Sequence, residues 1–118
     1  PDVSLLRRRS SPVTYTVNVA ESAEKDIQEV SDVIAYDYCD PTAAMRLVGR
    51  IFDEIDSLSE MPNRYSLSSN PLLSAVGCRQ TSVGNFLILY LVDEDLLAVN
   101  VVAIVYCRRS TDFVKKRI

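Results

Sequence analysis

Two hydrophobic periods alternate along this chain. Val13 to Ala20, VTYTVNVA, sets Val13, Tyr15, Val17 and Val19 against Thr14, Thr16 and Asn18. Period two with β-branched residues predicts a strand with one buried face. The spacing then lengthens. Ala23, Ile27, Val30, Ile34 and Tyr38 recur every three or four residues, which predicts an amphipathic helix ending near Tyr38, before Cys39-Asp40-Pro41. Ser22 is a candidate cap, and Glu21, Glu24 and Asp26 place negative charge near the positive end of the helix dipole. Tyr36 and Tyr38 read as packing residues at the helix end.

Asp40-Pro41 opens a second helix: the carboxylate accepts from an orphan amide, and proline suits the first helical position. Ala44, Leu47, Val48, Ile51, Ile55 and Leu58 mark its buried face. Arg46, Arg50, Asp53, Asp56 and Glu60 fall on the other face, with Asp53 and Glu54 in reach of Arg50 for pairing in solvent. Pro62-Asn63 stops the helix, and the short link between the two helices predicts an antiparallel hairpin. Residues 61 to 71 read as a loop. Strands follow at Ser74–Val83, Phe86–Val92 and Leu96 or Leu97–Tyr106, joined by Gly84-Asn85 and Asp93-Glu94-Asp95, and Thr111–Arg117 forms a terminal helical turn. The order is β-α-α-β-β-β. The fold class is α+β, with a helical hairpin on one face of a small antiparallel sheet.

The last two strands pose a problem. GNFLILYLVDEDLLAVNVVAIVYCRR is apolar from Phe86 to Val92 except for the Tyr90 hydroxyl, and from Leu96 to Tyr106 except for Asn100. A strand with one wet face alternates, and these do not. Two helices cover one face of a small sheet, which leaves Leu87, Leu89 and Leu91, or the alternate set, on the other. A partner protein or the terminal segments must cover it. The terminal segments are short and basic, so the expectation is a partner.

Composition sets further bounds. The chain has 118 residues, 47% apolar and 25% charged, which fits one core. The division expected is a basic arm at 1–11, PDVSLLRRRSS, and a single domain at 12–118. No run is long enough to span a membrane. Cys39, Cys78 and Cys107 are odd in number and lack a C-x-x-C, which fits a reducing cytoplasm. There is no histidine, so Ser-His and Cys-His catalysis and the common zinc sites are excluded. No cofactor or metal is expected. The net charge of −3 divides unevenly: residues 12–106 hold 14 acids against five bases, whereas 107–118 hold five bases against Asp112 alone. Any phosphate-binding surface is therefore a local patch.

The chain resembles the RelE/ParE superfamily of bacterial toxins. The resemblance is carried by the helix pair AEKDIQEVSDVIAYDYCDPTAAMRLVGRIFDEIDSLSEMPNRY and by GCRQTSVGNFLILYLVDEDLLAVNVVAIVYCRR, in family order, over residues 13 to about 112. It implies the toxin of a type II toxin–antitoxin pair, neutralised by a cognate antitoxin that lies over Leu87, Leu89 and Leu91 and sets acidic groups against the basic end. It also allows a homodimer when the antitoxin is absent. ParE-like members act on DNA gyrase by binding, whereas RelE-like members cut messenger RNA on the ribosome. By motif Arg79 and Arg109 are the arginines a nuclease would use, one to clamp phosphate and one to offset developing charge. Arg79 pairing with an acid of the meander is the structural alternative. Arg64, Arg108, Lys115 and Tyr106 are further candidates for contact with a target or phosphate. Ala75, Gly77 and Leu87 stand where RelE-like nucleases carry basic residues, and no tyrosine occurs at 113–115. The resemblance therefore favours ParE-like binding of gyrase, with ribosome-dependent cleavage or an inactive antitoxin-binding member as alternatives.

Overall fold

A computed structural model describes residues 14–118. The basic arm expected at 1–11 lies outside the described residues. Strand β1 spans Thr16–Val19, helix α1 spans Glu21–Asp32, and the same helix continues as a π-helical turn over Val33–Asp37. Helix α2 spans Pro41–Ser57, and a short helix α3 spans Pro71–Ser74. Strands β2 (Arg79–Val83), β3 (Phe86–Asp93) and β4 (Ala98–Tyr106) follow, then a 3-10 segment over Asp112–Arg117.

The α+β class and the element order are those expected, but the sheet is mixed. Its order is β1-β4-β3-β2. The meander is antiparallel, and β1 joins β4 in parallel, with Thr16 opposite Ala98 and Val19 opposite Val101. The connection after α2 carries the chain back across the sheet, so β2 restarts in the direction of β1. Two meander reversals then leave β4 parallel to β1.

The helices cover one face through the expected stripe. Ala23, Ile27, Ile51, Ile55 and Leu58 pack on Val83, Ile88, Tyr90, Val99, Val101 and Ile104. Asp40 caps α2, accepting a hydrogen bond from the Ala43 amide at 3.0 Å. Ser22 is not the cap of α1. Ala20 holds that position, and the Ser22 hydroxyl donates to the Val102 carbonyl. Arg50 forms no ion pair with Asp53 or Glu54; Glu54 turns inward instead and accepts from the Tyr65 and Thr81 hydroxyls at 2.6 and 2.8 Å.

The opposite face is covered by the chain itself, and this overturns the expectation that a partner must shelter it. Leu89 is fully buried, packed with Leu73 of α3, Cys78, Val102, Ala103, Val105 and Val114 of the 3-10 segment. The coverage is possible because residues 71–74, expected as strand or loop, form a helical turn. Asn70 caps it by accepting from the Leu72 amide, and its amide donates to Thr111 Oγ1 and Asp112 Oδ1, tying both covering segments together. The reason β4 carries no polar alternation is also visible: both of its faces are covered, and a bulge sets which residue meets which face. Leu89 faces Ala103 while Tyr90 faces Val101, so Val102 is an extra residue, a bulge that shifts the inward parity by one.

Candidate functional site

Helix α1 departs from α geometry at its end. The Tyr38 amide bonds the Val33 carbonyl, five residues back, and the Asp40 amide bonds Ile34. A π turn inserts one residue and rotates the residues after it. Tyr38 therefore leaves the buried stripe that it extends in the sequence. It is 72% exposed and Tyr36 is 76% exposed, so neither is the packing residue expected. Met45, on the next turn of α2, is 76% exposed. Between this hairpin end and the end of β4 lies a groove of about 710 Å³, with Val30, Val33 and Tyr38 on one wall and Phe86, Ile104 and Tyr106 on the other. Glu29 and Asp40 stand on the helical side and Arg109 on the strand side. The Phe86 and Tyr106 rings meet edge to face, with centroids 5.6 Å apart.

The candidate arginines differ in how they are engaged. Arg79 is half-buried and donates to the Tyr65 carbonyl at 2.6 Å, so it anchors a loop rather than pairing with an acid. Arg64 donates to the carbonyls of Ser57, Glu60 and Met61 and to the Ser57 hydroxyl, closing the orphan end of α2. Its guanidinium also lies 4.5 Å from the Tyr65 ring centre. Arg109 lies 4.4 Å from the Phe113 ring centre, and Arg117 lies 5.0 Å from the same ring. Arg108, Lys115 and Lys116 are exposed beside it.

Arg79 and Arg109 are not brought together. Arg79 pairs with Tyr90, whereas Tyr106 pairs with Phe86, four residues away on β3 or roughly 13 Å. Arg109 lies beyond Tyr106, at the far end. Of the three leucines expected to meet a partner, Leu89 is sealed, and Leu87 and Leu91 are half-buried.

Titratable groups follow the same division between fixed and free. Burial pushes the Cys78 thiol up to about 11, which leaves it inert. Burial raises Tyr90 to about 12 against the pull of Arg79 and Arg64, and its hydroxyl donates to the Pro62 carbonyl at 2.6 Å. Glu94, in the turn between β3 and β4, is held below the usual carboxylate range by the Asn63 amide and then the Tyr15 hydroxyl. The hydrogen bond to Glu94 raises Tyr15 in turn. The acidic turn is thus a clasp joining β1, the loop after α2 and the meander. Among the described residues no group of acids and cysteines is arranged to hold a metal ion, and no helix is long and apolar enough to cross a membrane.

Sequence reasoning missed the exposed hairpin end. Its signal is faint: two tyrosines and a cysteine just before Asp40-Pro41, where the helix must break.

The comparisons agree with this architecture. The family described as "ParE toxin of type II toxin-antitoxin system, parDE" matches residues 17–111. No curated protein matches the chain in sequence. Among solved structures, a RelBE toxin–antitoxin complex from Mycobacterium tuberculosis is 19% identical at a TM-score of 0.60, covering 80% of this chain and 99% of that one. A chromosomal ParDE system from P. aeruginosa is 16% identical at a TM-score of 0.64, covering 79% and 96%. A mutant of the E. coli toxin RelE in the free state is 13% identical at a TM-score of 0.58, covering 88% and 93%. At these identities the structures speak to the fold alone.

Proposed function

The chain belongs to the ParE toxin family of type II toxin–antitoxin systems, and from that premise we propose that it is a cytoplasmic toxin that acts by binding DNA gyrase and is held in check by a cognate antitoxin. The observation that carries the mode of action is the engagement of Arg79 and Arg64. A ribonuclease needs free cationic groups converging on one phosphate. Here the Arg79 guanidinium is committed to the Tyr65 carbonyl and Arg64 to the end of α2, while Arg109 lies at the other end of the meander. Arg108, Arg109, Lys115 and Lys116 form a basic end that suits the acidic groups of an antitoxin. Leu87 and Leu91 flank the sealed Leu89 and offer it only a rim. The partner is thus a regulator rather than a missing wall of the core.

The test is inducible expression in a bacterium, with and without the small protein encoded beside the toxin. The expected result is growth arrest with gyrase–DNA adducts and intact transcripts, relieved by the neighbouring protein. Codon-registered cuts in messenger RNA, lost on Arg109→Ala, would replace this reading with nuclease action. Normal growth with tight antitoxin binding would replace it with an inactive family member.

A further inference from the structure

We propose that the end of the helical hairpin, with Tyr36, Tyr38 and Met45 as anchors inside a ring of carboxylates, is the surface that grips the target, and that it fits a lysine- and arginine-lined protein surface with a socket for aromatic side chains. This rests on the reading above that the toxin acts by binding a protein.

Three observations converge there. The first is apolar exposure. Tyr36, Tyr38 and Met45 are each more than two-thirds exposed, and Val33 beside them is 44% exposed. Large aromatic side chains held out on a rigid element are what dominates binding energy when a partner desolvates them. Among the described residues neither tyrosine hydroxyl has a hydrogen-bond partner, so both are free to take one from another chain.

The second is the device that exposes them. An α-helical continuation carries Tyr38 onto the buried stripe with Ile27 and Ile34, and the π turn prevents this. Cys39 then takes a left-handed backbone (φ 52°) that costs a non-glycine residue energy, and it reverses the chain so that α2 starts immediately. The helix thus pays in geometry to present side chains it would otherwise bury.

The third is charge, which selects the occupant. Residues 29–40, which lead up to and past the tyrosines, hold four exposed acids, Glu29, Asp32, Asp37 and Asp40, and no base. Asp32, Asp37 and Asp40 are exposed around the tyrosines. That surface repels nucleic-acid phosphate, so the partner is not RNA or DNA. It also repels the acidic antitoxin segment that suits the basic end. What remains complementary is a cationic protein surface, such as a DNA-handling enzyme offers beside its DNA track.

The experiment uses the full-length toxin and immobilised gyrase, with two double variants. Tyr36→Ser/Tyr38→Ser removes the anchors. Asp32→Lys/Asp37→Lys reverses the ring, and a lysine at position 32, at the end of α1, favours the helix dipole, so folding is preserved. Melting curves and capture by the neighbouring antitoxin control for structure. The expected result is gyrase binding that weakens as salt rises, falls by about tenfold or more in each variant, and is lost with growth arrest while antitoxin capture persists. Wild-type binding that both variants match overturns the surface and leaves the functional reading standing. Variants that keep gyrase binding but lose the antitoxin assign the surface to the antitoxin and overturn the proposal. Wild-type toxin that binds no gyrase overturns the functional reading itself, and with it this partner.

Discussion

The two faces of the sheet are buried by different means. On one, a pair of long amphipathic helices lays a continuous stripe, Ile27, Ile51, Ile55 and Leu58, over Ile88, Tyr90 and Val101. On the other, a four-residue helix and a 3-10 segment each lend mainly one large side chain, Leu73 and Val114, to a floor of Leu89, Ala103 and Val105. The first layer is held by many redundant contacts along regular elements. The second is held by polar ties at its margins: Asn70 to Thr111 and Asp112, and Arg117 to Asp26. A layer of the second kind is expected to open locally before the protein unfolds as a whole.

Two substitutions separate these layers. Ile51→Ala, fully buried under the hairpin, is expected to cost about 3–4 kcal/mol, read from chemical denaturation as a lowered midpoint with hydrogen exchange accelerated throughout. Val114→Ala, equally buried, removes about two methylenes' worth of contact, roughly 1.5–2 kcal/mol, and its effect on exchange is expected to concentrate around Leu73, Leu89 and Val105. Equal costs with equally global exchange would mean that the two layers form a single cooperative unit, and the comparison would fail.

The same division explains what the sequence discloses. The hairpin layer was legible because its stripe repeats: Ala44, Ile51, Ile55 and Leu58 sit where a 3.6-residue period puts them, and Asp40 caps where a carboxylate before proline should. The other layer was not legible. Leu73 and Val114 each stand almost alone, and no period marks a single side chain. β4 hid its geometry as well, since a strand buried on both faces gives no alternation from which the Val102 bulge might be read. At the candidate site, residue types were legible but engagements were not. Arg79 and Arg64 bond main-chain carbonyls of a loop and a helix end, and backbone partners leave no trace in side-chain pattern. Tyr38 was misplaced because a π turn moves a side chain off its stripe without changing the residues that precede it.

The tie at the margin gives a sharper test. Arg117 Nη1 meets Asp26 Oδ2 at 2.7 Å, and Nη2 meets Oδ1 at 3.2 Å, with the two side chains 25% and 13% exposed. Arg117 also donates to the carbonyl of Val102 at the bulge, while Asp26 accepts from the Ile104 amide. The pair therefore stands in for the strand neighbour that β4 lacks beyond Val101, where β1 has ended. Arg117→Ala removes the charged partner of a largely buried carboxylate and leaves the Val102 carbonyl only the longer bond from the Ser22 hydroxyl. A cost of about 2 kcal/mol is expected, between the values for exposed and for fully buried pairs. Arg117→Lys should recover only part, since an ammonium cannot make the forked contact. A measured cost near zero would mean that Val114 and the Asn70 bonds hold the 3-10 segment without the ion pair.

The weakest expected effect lies at the opposite end, where Glu94 accepts from Asn63 Nδ2 at 2.6 Å and from the Tyr15 hydroxyl at 2.7 Å. These bonds favour the ionised form and lower its folded pKa below the ordinary value of 4.5. A carboxyl with a depressed folded pKa adds stability above its unfolded pKa, and that contribution is lost as pH falls through the folded value. Melting temperature should therefore drop on acidification below about pH 4.5, and Glu94→Gln should flatten that limb while changing stability little at pH 7. The alkaline limb reports the helix-covered face instead. Tyr90 is raised to about 12, so its neutral form stabilises the fold up to the ordinary tyrosine range, and the contribution disappears between pH 10 and 12 as the buried phenol ionises. Tyr90→Phe should blunt that loss and leave the acid limb intact, whereas Glu94→Gln should do the reverse. If either substitution moved both limbs, the clasp at the strand turn and the phenol beneath the hairpin would be one coupled network, and the helix-covered layer would owe its cooperativity to polar ties as the other layer does.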